Sequence, residues 1–128
     1  MNKYCLILVA FICSSYLSAQ NVAQSDSIPI DYETVEQRPI FPGGNNEFMK
    51  FISKNFVVPE EEGISGTILL SFIIETDGKV STVKIIKDIG SGAGESAKRA
   101  ISKSPIWQPG VENGKIVRVI KLIPIKIN

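Results

Sequence analysis

The chain has 128 residues, enough for one domain, and its 14 basic and 13 acidic side chains leave a net charge of +1. It has no histidine, and its two cysteines, Cys5 and Cys13, both lie in an apolar N-terminal stretch. The remainder therefore lacks imidazole and thiol chemistry, disulfides and the usual zinc ligands. We expect no metal, no cofactor and no enzyme activity.

The N-terminal residues have the pattern of a secretory signal peptide. Lys3 supplies a positive charge, Cys5 to Ile12 are all apolar, and Leu17-Ser18-Ala19 resembles a cleavage site. The apolar stretch is shorter than the roughly 18–20 residues of a membrane-spanning helix. We predict a cleaved signal peptide over residues 1–19. An uncleaved membrane anchor and a lipid anchor on Cys13 are the alternatives.

Residues 20–37 are polar and are predicted to form a tether. Within it, Ile28, Ile30, Tyr32 and Val35 could form a short extended segment that lies on the domain. The domain itself is predicted to cover residues 38–128.

Apolar periodicity predicts two helices and three strands in the domain. Asn45 and Asn46, good N-cap residues, precede the first helix, and Asp77-Gly78 favours a tight hairpin between the first two strands. The predicted elements are a helix over Glu47–Asn55, strands over Gly66–Glu75 and Val80–Lys87, a helix over Glu95–Ser104 and a strand over Lys115–Ile127. This order predicts an α+β two-layer domain, with both helices on one face of a three-stranded antiparallel sheet.

Charged residues form neither a catalytic nor a nucleic-acid-binding pattern. Glu60–Glu62 lie in a solvated connection, Asp77 belongs to a turn, and no two carboxylates are placed as a hydrolase requires. Residues 66–128 carry ten bases against five acids, but the bases alternate along strands instead of clustering. A solvated sheet face explains them, and we expect no nucleic-acid partner.

The last predicted strand contains Pro124. Proline has no N–H donor and occurs in sheets almost only on edge strands, so this strand is predicted to be an edge. The unpaired backbone groups of an edge can bind an extended peptide by β-augmentation. Alternatively, Pro124, Lys121 and Lys126 only protect the edge from aggregation.

Several short motifs resemble, in order, those of TonB C-terminal domains, particularly the Bacteroidetes type. They cover roughly residues 35–128. The motifs are Arg38-Pro39-Ile40-Phe41-Pro42-Gly43-Gly44, Val58-Pro59, Gly63-Ile64-Ser65-Gly66, the hairpin with Phe72, Asp77-Gly78 and Val80, the segment Pro105-Ile106-Trp107-Gln108-Pro109-Gly110, and Pro124-Ile125.

The resemblance implies a periplasmic domain in TonB-dependent transmembrane transport. Its C-terminal strand would pair with the TonB-box peptide of an outer-membrane receptor, mainly through backbone groups. Arg118 and Lys121 would be candidate side-chain contacts. The implied partner-binding residues are Lys115, Ile116, Val117, Arg118, Val119, Ile120, Lys121, Leu122 and Ile123.

Two other functions stay open. The domain could be a stand-alone envelope module that forms a homodimer through its edge strands. If the N-terminal segment is not cleaved, it could instead be an anchored transducer that contacts the inner-membrane energising complex. The short tether favours a binding module without that complex.

Overall fold

The structure, a computed structural model, describes residues 27–128. The predicted signal peptide and the first part of the predicted tether, residues 20–26, lie outside the described residues. The elements are β1 (Ile30–Asp31), α1 (Asn45–Asn55), β2 (Gly66–Ile74), β3 (Val80–Lys87), α2 (Ala93–Ser102), β4 (Gly110–Glu112), β5 (Lys115–Val117) and β6 (Val119–Ile127).

The predicted α+β class is confirmed, and the predicted hairpin and the two helices are present. The main sheet has the strand order β1-β6-β2-β3, in which β2 is antiparallel to both β3 and β6. Alternate residues of β2 are fully buried on the side that both helices cover, because strand side chains alternate between the two faces of a sheet. The central strand therefore anchors one core under both helices.

Aromatic side chains from four separate segments meet at one end of this core. The Trp107 ring lies 4.9 Å from the Phe48 ring and 5.4 Å from the Phe41 ring, both edge-to-face. Phe72 completes the cluster from β2, 6.0 Å from Trp107. Such pairs add about 0.5–1.5 kcal/mol each beyond the area that they bury. Phe41, Phe72 and Trp107, which carry the family resemblance, are thus core residues.

The hairpin turn is locked onto the same cluster at Gly78. Gly78 has φ 84°, and its carbonyl accepts a 2.9 Å hydrogen bond from the Trp107 N–H. A Cβ on Gly78 would lie 2.0 Å from the Trp107 carbonyl oxygen. No residue with a side chain fits there without moving one of the two segments.

The strand count differs from the prediction. The main sheet has four strands instead of three, because the two-residue strand β1 adds to it parallel to β6. The predicted single strand over Lys115–Ile127 is also wrong in its first part: Lys115–Val117 form β5, which pairs with β4 as a separate hairpin. Arg118 lies between the two strands. Its side chain donates a hydrogen bond to Glu75, which directly follows β2.

Both helices begin two residues earlier than predicted. The N-cap of α1 is Gly44, not Asn45 or Asn46, and no side chain caps it. Before α2, the Asp88 carboxylate accepts hydrogen bonds from the backbone N–H groups of Ile89, Gly90 and Gly94 at 2.8–3.2 Å. A carboxylate before a helix satisfies the free N–H groups of its first turn and interacts favourably with the helix dipole. This accounts for the early start of α2 at Ala93.

Part of the predicted tether belongs to the folded domain. Besides the pairing of β1, Val35 is only 6% exposed, and the Gln37 backbone pairs with Val111 of β4. Within residues 27–128, no helix is long and apolar enough to cross a membrane.

Candidate functional site

The two outer strands of the sheet offer very different edges. Three residue steps on β3, from Ser81 to Lys84, lie opposite two residue steps on β2, from Ile73 to Ser71, so the ladder contains a bulge. Thr82 within it has φ 50°. Bulges interrupt the regular row of backbone groups and discourage pairing with a further strand. The β3 edge is therefore a poor template for a peptide.

The outer edge of β6 is regular and only partly covered. β1 pairs with β6 at Val119 and Ile120, and the last hydrogen bond between them runs from the Tyr32 N–H to the Ile120 carbonyl at 2.9 Å. Beyond that point, no other described residue forms a strand beside β6. The edge from Leu122 to Ile127, called the open edge below, is free within the described part of the chain.

Backbone alternation shows which groups the open edge presents. The carbonyls of Arg118 and Ile120 point towards β1, so even-numbered residues of β6 direct their N–H and C=O groups outward. Leu122 and Lys126 thus offer two N–H donors, and these residues and Pro124 offer three carbonyl acceptors. The odd-numbered residues direct their N–H and C=O groups towards β2 instead.

The same alternation explains how β6 contains a proline. Pro124 lies opposite Leu69 of β2, at a position whose backbone groups face outward. Its missing N–H therefore costs the β2–β6 ladder nothing. The prediction that Pro124 marks an edge is correct for this part of the strand, although β1 covers the part before it.

An apolar groove lies beside the open edge on the helix side. One wall consists of α1 and the residues after it, with Met49 and Val58 about half exposed (48% and 50%). The volume is about 540 Å³, within the roughly 300–1,000 Å³ of small-ligand pockets. We call it the edge groove; its apolar lining residues are Met49, Ile52, Phe56, Val58, Ile123, Pro124, Ile125 and Ile127.

The position of the α1 wall is held from the other helix. The Ser96 hydroxyl of α2 donates a 2.7 Å hydrogen bond to the Val57 carbonyl and accepts one from the Val57 N–H. These two hydrogen bonds fix the backbone at Val57. The side chains of Phe56 and Val58, on either side of it, are thereby held in the groove wall. Ser96 is itself buried, at 7% exposure.

Arg118, a predicted partner contact, is engaged within the domain. Its guanidinium donates hydrogen bonds to both Glu75 carboxylate oxygens, at 2.7 and 3.1 Å, and one to the Ser27 carbonyl. The Arg118 hydrogen bonds lower the pKa of Glu75 below its ordinary value; burial opposes this shift, and the Ser81 hydroxyl adds to it. This ion pair holds the chain at the start of β6.

Lys121, the other predicted side-chain contact, also has a partner in the chain. Its ammonium lies 3.6 Å from the centre of the Tyr32 ring, a cation–π contact. Burial lowers the pKa of Lys121; Glu33 opposes this shift, and Arg38 adds to it. Together with the β1 pairing, this contact covers the edge of β6 up to Lys121, so the open edge begins at Leu122.

The structure thus divides the predicted partner-binding residues. Lys115–Val117 lie in the β4–β5 hairpin, Val119 and Ile120 pair with β1, and Leu122 and Ile123 alone belong to the open edge. Sequence reasoning missed the groove wall because Met49 and Val58 come from distant segments. Both are apolar in sequence, but nothing local indicated that they would stay about half exposed beside β6.

Comparison with known proteins gives the family. Residues 59–127 match the family model described as the Gram-negative bacterial TonB protein C-terminal. Among solved structures, the chain is similar to the TonB C-terminal domain of Helicobacter pylori in two solution structures. For residues 194–285, the identity is 25% and the TM-score 0.48, over 65% of this chain and 90% of that chain. For residues 179–285, the values are 26% and 0.43, over 68% and 87%.

No curated protein matches the chain. The family match spans more than half of its residues, which confirms the resemblance to TonB C-terminal domains. The Bacteroidetes type stays a prediction. The chain belongs to the family of Gram-negative TonB C-terminal domains, which act in TonB-dependent transport at the cell envelope.

Proposed function

We propose that this domain binds an extended peptide of a TonB-dependent outer-membrane receptor by adding it as a strand to the open edge of β6. The observation that carries the proposal is the free edge from Leu122 to Ile127, which is regular and accessible while the opposite edge of the sheet is bulged. Peptides that join a sheet edge gain affinity from backbone hydrogen bonds.

The proposed pairing region differs from the one that the resemblance implies. Only Leu122 and Ile123 of the implied residues remain in it, and it extends beyond them to Ile127. Arg118 and Lys121 are engaged by Glu75 and Tyr32, so their role is to shape the start of β6. Backbone groups, not these cations, would hold the peptide.

The proposed place of action is the periplasm, after removal of residues 1–19. The support is the signal-peptide pattern at the N-terminus together with the envelope role of the family. In this form the domain would bind receptors without a membrane anchor. A retained anchor would instead add the inner-membrane energising complex as a partner.

A proline substitution tests the pairing directly. Leu122→Pro removes one of the two outward N–H donors, whereas Leu122→Ala keeps it. Because Pro124 already occupies an equivalent outward position, the β2–β6 ladder is expected to survive the proline. Loss of a donor opposite a peptide carbonyl costs about 1–3 kcal/mol, which corresponds to about a 5- to 150-fold weaker affinity.

The measurement is calorimetric titration of the exported protein with synthetic receptor TonB-box peptides. We expect weaker binding in Leu122→Pro, near wild-type binding in Leu122→Ala, and similar urea midpoints for both variants. If no receptor peptide binds wild type at high micromolar concentration, the proposal is wrong. Equal affinities in the two variants would also contradict it.

A further inference from the structure

We infer that the edge groove is the specificity pocket for the bound strand and selects peptides with apolar side chains at every second position. The inference rests on the proposed function, because it concerns the peptide added at the open edge. It adds what the backbone pairing does not provide, a preference among sequences.

Strand geometry places alternate peptide side chains in the groove. In a strand added beside β6, every second side chain points to the helix side and stands next to Ile123, Ile125 or Ile127. The α1 wall overhangs this line from the other side, with Met49 and Phe56 facing it. Side chains at the intervening positions point to the helix-free face of the sheet.

The chemistry of the groove sets the preference. Its lining is mostly aliphatic and aromatic, although Ser53, Lys126 and Asn128 also line it. Met49 and Val58 each keep about half of their surface exposed. An apolar peptide side chain would remove this surface from water at roughly 25 cal/mol per Å². A hydroxyl or a charge buried against the apolar residues of the groove would lose its hydration.

The contact with β1 limits the peptide length. The backbone N–H of Tyr32 already donates a hydrogen bond to the Ile120 carbonyl, so an added strand cannot pair there. It therefore begins beside Leu122 and ends beside Ile127, the last residue of β6. Six residues at about 3.3 Å each span about 20 Å. The recognition unit is therefore a short strand with two or three apolar side chains on one face.

Two designed peptides distinguish the contribution of the edge groove from that of backbone pairing at the open edge. One alternates valine and threonine over seven residues, and the other has threonine at all seven positions; both are capped at their ends. Threonine has nearly the shape and the β-propensity of valine, so the two peptides differ mainly by hydroxyl groups. Two-dimensional amide NMR titration of the exported protein measures both affinities and locates the shifts.

We expect the alternating peptide to bind at least about tenfold more tightly than the all-threonine peptide, with shifts at Leu122–Ile127 and along α1. Val58→Glu should remove most of this difference. Val57→Glu is the matched control, because Val57 is a neighbouring, more exposed valine (72%) that does not line the groove. It should preserve the difference.

Two results would overturn the inference. If receptor peptides bind but the two designed peptides bind equally, and Val58→Glu changes nothing, the groove has no selective role while the edge pairing stands. If sedimentation shows a dimer that dissociates in Val58→Glu but not in Val57→Glu, the groove is filled by a second copy of the chain. Failure of every receptor peptide to bind would instead remove the proposed function itself.

Discussion

At the residue scale, the Glu75–Arg118 pair gives the domain a defined response to acid. The pair is largely shielded, with side-chain exposures of 25% and 14%, and it joins the end of β2 to the start of β6. A carboxyl group whose pKa is lower in the folded chain than in the unfolded chain contributes stability above the unfolded pKa. That contribution is lost as the pH falls through the folded pKa.

Glu75→Gln is therefore expected to lower the unfolding free energy at neutral pH and to flatten its decline below about pH 4.5, the ordinary value of this carboxyl. Urea unfolding between pH 7 and pH 3 measures both effects. Glu60→Gln, at an exposed acidic position in the connection after α1, is the control and should keep the wild-type slope. A wild-type pH slope in Glu75→Gln would show that the pair does not contribute.

Pro124 and Arg118 show what single residues reveal before a structure is known. Pro124 indicates an edge because its missing N–H is a local covalent property. Arg118 looks like an alternating strand residue, and nothing local indicates that its guanidinium meets Glu75, 43 residues away in sequence. The break of the last strand depends on that distant partner, so periodicity could not predict it.

At the element scale, β1 determines how long the open edge is. It is held by two residues of parallel pairing, by the 2.9 Å hydrogen bond from the Ile30 N–H to the Arg118 carbonyl, and by Tyr32 against Lys121. The apolar residues Ile28, Ile30 and Tyr32 predicted a short extended segment here, but not its parallel pairing with β6. The helices and the β2–β3 hairpin were predictable because their periodicity extends over eight residues or more.

Release of β1 should lengthen the binding site. Ile30→Pro removes the N–H that bonds to Arg118, so we expect β1 to detach and to expose the edge at Ile120. A nine-residue alternating valine–threonine peptide should then gain several-fold in affinity over wild type, while the seven-residue peptide should change little. Ile28→Pro is the control, since Ile28 is 88% exposed and lies outside β1. Equal gains for both peptides, or none, would contradict this role of β1.

At the scale of the whole molecule, the docking of β1 changes the reach of the domain. The polar segment from residue 20 to 37 would be a long tether if it were free, but the chain is already fixed at Ile30. Ten residues, 20–29, span at most about 36 Å when fully extended.

A retained anchor would therefore hold the folded domain close to the membrane surface. A cleaved signal peptide removes this restriction, because the domain can then diffuse to the receptor with β1 in place. We expect N-terminal sequencing of the protein from the envelope fraction to start at Gln20. A start at Met1 would contradict cleavage.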